Sequence, residues 1–128
     1  MKKPLTILAM DSLAALAAGV GTLLLSSYLT RWYAWPEGFA LFIGAVNIAY
    51  GMYSGPLALR LKRTGRMSRT AVILLIIANS IWAGQCFTQA WRLFETASIL
   101  GLGHLIFEGL FVSGLAFLEA KHVLPEAE

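Results

Sequence analysis

Residues 98–118 read SILGLGHLIFEGLFVSGLAFL. As a helix rising 1.5 Å per residue this stretch covers about 31 Å, the thickness of a bilayer's hydrocarbon core. Its only ionisable side chains are His104 and Glu108, four positions apart and therefore on one helix face. A run of this length and polarity is a membrane span, and the rest of the chain repeats the pattern. Apolar stretches occupy roughly 6–29, 38–59 and 71–93 as well, separated by short segments that carry most of the charge. The expected fold is all-α: an integral membrane four-helix transmembrane bundle in a single domain, 1–128.

Composition agrees. Of the 128 residues, 58% are hydrophobic and 13% charged, against about 45–50% and 25% in soluble domains, and the mean hydropathy is +0.69. The formal charge of +3 does not point to nucleic acid, because the basic residues lie between spans and are not interleaved with stacking aromatics. Cys86 is the sole cysteine, so no internal disulfide and no cysteine metal pair is available. Lys2 and Lys3 before an apolar run resemble the start of a cleaved leader. Asp11 interrupts that run, however, and its apolar character continues to Leu29, which favours an uncleaved helix.

Sidedness follows from the cations. With a cytoplasmic N-terminus, Lys2, Lys3, Arg60, Lys62, Arg63, Arg66, Arg69 and Lys121 fall inside and only Arg31 and Arg92 outside. Both termini are therefore expected in the cytoplasm, in a bacterial-type inner membrane. Tyr28, Trp32, Tyr33, Trp35 and Trp91 fall at the outer interface, where amphipathic rings anchor helices. The basic stretch RLKRTGRMSR (60–69) is read mainly as a topology determinant, with anionic headgroup binding a secondary role.

Small residues provide for close packing: Gly44, Gly51 and Gly55 in the second span, Gly109, Ser113, Ala116 and Ala120 in the fourth, and alanines with Gly19 and Gly21 in the first. They are compatible with a homodimer or with another membrane protein as partner. Pro56 is expected to kink or end the second helix.

Polar residues at mid-depth are the functional clue, because an ionisable group at the bilayer centre costs at least ~2.5 kcal/mol. Entering from the outer side at Ser98, the fourth helix carries His104 about 9 Å and Glu108 about 15 Å deep. Asn47, Tyr50 and Ser54 share one face of the second helix, and Asn79, Trp82, Cys86 and Gln89 one face of the third, with Gln85 at its edge. Turned inward, these faces surround Glu108. The candidate ligand or proton site is Glu108, His104, Asn47, Tyr50, Asn79, Trp82 and Gln85. Asp11 is read differently, as a residue near the inner interface satisfied by snorkelling or by the basic loop.

Several chemistries are not supplied. The only other histidine, His122, lies in the expected cytoplasmic tail, so no bis-histidine haem site can form. No third ionisable metal ligand is seen at the depth of Glu108. No phosphate loop and no activated nucleophile is present, and no cofactor is expected. In size and helix count the chain is similar to small multidrug pumps, which carry their acidic residue mid-way along the first helix. Here Asp11 is near that helix's end and the midplane acid is in the fourth, so that family's function does not carry across. The expectation is binding or transport of a small cationic or hydrogen-bonding solute through a pocket centred on Glu108. Second is an accessory or structural subunit of a larger membrane complex, and third a lipid-modifying enzyme, the class with least support.

Overall fold

Helix boundaries fall where the sequence offers caps. In the computed structural model, which describes residues 2–128, five helices follow in order: α1 (Lys2–Leu24), α2 (Ser26–Trp32), α3 (Phe39–Thr64), α4 (Arg69–Arg92) and α5 (Ile99–Leu118). Ser68 and Ser98 stand in extended conformation before α4 and α5, their hydroxyls accepting from the N–H groups of Ala71 and Gly101 at 3.3 and 3.2 Å. Such a hydroxyl satisfies an otherwise orphaned first-turn donor. Gly38 and Gly65 bracket α3 at φ of 81° and 71°, a left-handed conformation that glycine adopts without a Cβ clash.

Among the described residues three helical stretches are long and apolar enough to cross a membrane: Lys2–Leu24, Arg69–Arg92 and Ile99–Glu126. The helix α3 is as long, but Asn47, Tyr50, Tyr53, Ser54 and Pro56 dilute its apolar character. Three boundaries differ from the sequence expectation. The first helix begins at Lys2 and is interrupted at Leu25, with the two-turn α2 beyond. Pro56 does not end α3, which runs on past it to Thr64 and stops at Gly65. The missing proline N–H removes one bond, and the bonds on either side carry the helix through. The last helix does not stop at Leu118 either. It continues as a π-helical turn, Glu119–Val123, and a short 3₁₀ turn, Leu124–Glu126.

The packing divides into two helix pairs. Close backbone approaches concentrate between α1 and α3 and between α4 and α5. Glycine makes the first approach possible: a Cβ on Gly19 would lie 2.9 Å from both the Gly44 carbonyl oxygen and the Ile48 amide nitrogen. Gly109 does the same for the second pair, where the Phe87 ring would meet a Cβ at 2.9 Å. Between the pairs, side chains form the seam. The Tyr50 hydroxyl donates to the Ala78 carbonyl, Tyr53 donates to the Ala71 carbonyl at 2.9 Å, and the polar groups of the next section complete it.

One end of the molecule gathers Ile7, Leu61, Met67 and Val123 in a single apolar cluster. There Arg66 pairs with Glu128 at 2.9 Å, and the backbone of Glu128 bonds with that of Met67 and Arg69. At the opposite end Trp35, Tyr33, Phe39 and Leu105 pack together. The Ser98 hydroxyl donates to the Trp32 carbonyl at 2.7 Å, and the Ser98 N–H to that of Tyr33 at 2.9 Å, tying the two connections at this end. Ser98→Ala removes both the cap and the hydroxyl tie, so a loss of about 1–2 kcal/mol is expected. Unfolding midpoints in detergent, compared with the parent, measure it.

Candidate functional site

Glu108 is the hub of a buried network. Its position three residues after Leu105 and four before Val112 puts it on the buried face of α5, and it is only 8% exposed. One carboxylate oxygen, Oε2, accepts from the Trp82 indole N–H at 2.7 Å and from the Asn47 amide at 3.4 Å, with the Cys86 thiol 3.7 Å away. The other, Oε1, lies 3.1 Å from His104 Nε2. Donors from three helices thus converge on one carboxylate, as charge-assisted bonds to a buried anion require.

The histidine is itself oriented. His104 Nδ1 lies 3.3 Å from the Tyr33 hydroxyl, and its ring meets the Trp35 ring edge-on with centroids 5.2 Å apart. With Nε2–H given to the carboxylate, Nδ1 accepts the tyrosine proton, the tautomer in which each group is used. Gly101 lets this corner close, since a Cβ there would sit 2.8 Å from Trp35 Nε1. The chain Tyr33, His104, Glu108 runs inward from the aromatic end.

Below Glu108 lies a cavity of about 50 Å³ lined by Asp11, Asn47, Tyr50, Asn79, Trp82 and Glu108 together with apolar side chains. That is room for a few water molecules. On its far side Asn79 Nδ2 donates to Asp11 Oδ2 and to Glu119 Oε1, both at 2.8 Å. Asp11 is 2% exposed and Glu119 fully buried.

Of the residues named from sequence, the fold brings Asn47, Trp82 and His104 onto Glu108. Tyr50 and Asn79 border the same cavity but bond elsewhere, Tyr50 to the Ala78 carbonyl and Asn79 to Asp11 and Glu119. Gln85 does not join them. It lies exposed one helix turn from Gln89, whose amide reaches it at 3.4 Å. Accordingly Gln85→Ala is expected to change unfolding free energy by less than about 0.5 kcal/mol, which the same detergent unfolding measures. Asp11 is not a snorkelling residue: it points inward and meets Asn79, away from the basic loop. Glu119 and Tyr33 have roles that the sequence reading did not assign.

Among the described residues no three His, Cys, Asp or Glu side chains converge to hold a metal ion. The arrangement is suited to holding a proton or a small cation against Glu108, with the histidine, indole and amide fixing the carboxylate. Compared with protein-family models, curated proteins and solved structures, the chain matches none.

Proposed function

We propose that this chain is a single-domain, four-helix protein of a bacterial-type inner membrane, with both termini cytoplasmic, that binds and transports a small cationic or hydrogen-bonding solute at Glu108. Three stretches that can span a membrane, with α3 packed along α1 as a fourth, support the multi-pass reading. Lys2, Lys3, the basic stretch 60–69 and Lys121 gather at the end where Glu128 meets Arg66, which supports one cytoplasmic face. A reporter active only in the cytoplasm is expected to work after Glu128 or near Gly65 and to be silent near Glu37. Activity at Glu37 contradicts this orientation.

The observation that carries the functional reading is a buried, ionisable Glu108 bordering a cavity of about 50 Å³. Glue between helices needs no ionisable group, since glutamine bonds at lower desolvation cost. The cavity's size favours a proton, a small ion or water over an organic solute, which would need the two helix pairs to part along their polar seam. An accessory-subunit reading draws on one specific feature, the largely exposed Trp91, Phe94, Ile99 and Leu100 around the α4–α5 turn. Purified protein in liposomes separates the two. Proton or monovalent-cation flux by the protein alone supports transport, while inert liposomes together with co-purification of another membrane protein support the accessory role.

A further inference from the structure

Three turns beyond Glu108 on α5, at i+11, Glu119 returns to the same face about 16 Å further along the helix axis. It opens the π-helical turn that closes the last helix, a deviation that often accompanies functional positions. One nitrogen of Asn79 from α4, Nδ2, donates both to Glu119 Oε1 and to Asp11 Oδ2 from α1, each at 2.8 Å, and so draws the two carboxyl groups together. Among the described residues Glu119 Oε2 has no hydrogen-bond donor, although the side chain is fully buried. Two carboxylates held on one amide nitrogen, with an oxygen left over, lack a proton in their accounting.

The neighbouring elements do not supply a counter-charge. From α3 the Tyr50 hydroxyl is committed to the Ala78 carbonyl, and from α4 Asn79 is neutral. Glu108, three turns away on α5, is another acid. Lys3 on α1 and Lys121 on the closing turn are exposed, and among the described residues neither they nor His122 makes an ion pair or hydrogen bond with either carboxyl group. Two buried anions without a cation carry a desolvation and repulsion cost that a single shared proton removes. A metal cation fits less well, because Asn79 turns its nitrogen, not its oxygen, toward the pair.

We propose that Asp11 and Glu119, bridged by Asn79, form a second site, which binds one exchangeable proton between two carboxyl groups. Asp11 lines the same cavity as Glu108, a space of about 50 Å³ that is large enough for water to link this proton to the space beneath Glu108. The two carboxyl groups hold this proton whether or not Glu108 binds a solute.

Infrared spectroscopy of the full chain in lipid bilayers at neutral pH tests it through the carbonyl stretch of a protonated, buried carboxyl group. The band is expected in the parent and in Glu108→Gln, shifted in heavy water, and absent from both Glu119→Gln and the double variant Asp11→Asn/Glu119→Gln. These near-isosteric changes keep amide hydrogen bonds to Asn79, and circular dichroism confirms the fold of each. No such band in the parent, or a band that persists in the folded double variant, overturns the proposal. Loss of the band in Glu108→Gln also overturns it, by placing the proton on Glu108, whereas a flux-inactive Glu108→Gln that keeps the band leaves this site standing.

Discussion

Glu108→Leu is expected to destabilise the helix bundle by about 2–5 kcal/mol, while Glu108→Gln changes it by less than about 1 kcal/mol. The leucine strands the Trp82 indole N–H and His104 Nε2, whose acceptor is this carboxylate, and takes one of two acceptors from the Asn47 amide, which keeps the Ile43 carbonyl at 3.0 Å. A buried donor left without an acceptor costs about 1–3 kcal/mol, although bonds between membrane helices average nearer 0.6 kcal/mol, and the range spans both scales. Glutamine behaves otherwise. Its carbonyl oxygen keeps the Trp82 bond, and its NH₂ faces His104, which accepts at Nε2 by switching tautomer and donates from Nδ1 to Tyr33. Unfolding in mixed detergent micelles measures both variants. A leucine variant as stable as the parent contradicts the hydrogen-bond network.

Gly19→Val is expected to cost about 3 kcal/mol or more, through the backbone. A Cβ at this position lies 2.9 Å from the Gly44 carbonyl oxygen and 2.9 Å from the Ile48 nitrogen, atoms of a helix that cannot move aside without the whole of α3 shifting. The Ile48 side chain, at 2.6 Å, would have to move as well. Gly114→Ala is the matched control, because nothing lies within 4 Å of its Cβ position. There the gain in helix propensity predicts a neutral or slightly stabilised protein. Equal unfolding midpoints for Gly19→Val and the parent would show that α1 and α3 are not held at glycine contact.

Much of the Glu108 site was legible because helix period and depth are arithmetic. Asn47, Trp82 and His104 share inward faces at matching heights, and the fold brings them to one carboxylate. The second carboxylate centre was missed for two physical reasons. Starting the first span at residue 6 placed Asp11 close to an interface, but α1 starts at Lys2, so Asp11 sits about 13 Å along the helix. Asn79 lies ten residues into α4, which starts from the same end of the molecule, and so meets Asp11 at its own level. Glu119 was lost because the apolar run stops at Leu118, while the helix continues into its π turn. Its signal was the i+11 spacing from Glu108, which places both acids on one face. Gln85 failed in the opposite direction. Its place at the edge of a polar face left its orientation to packing, and the packing turns it outward. Pro56 marked a helix end only by local rule, and the length of α3 was decided by Gly65.

Flux through Glu108→Gln in liposomes tests the functional reading most directly. The variant keeps the side chain's shape and its hydrogen bonds to Trp82 and His104 but cannot take up or release a proton or carry the negative charge. At matched incorporation and equal unfolding midpoint, a proton or counter-ion site predicts that proton or monovalent-cation flux falls to the level of protein-free vesicles. Glu108→Gln carrying the parent's flux, with the parent's pH dependence, contradicts it and leaves Glu108 as a buried tie between helices.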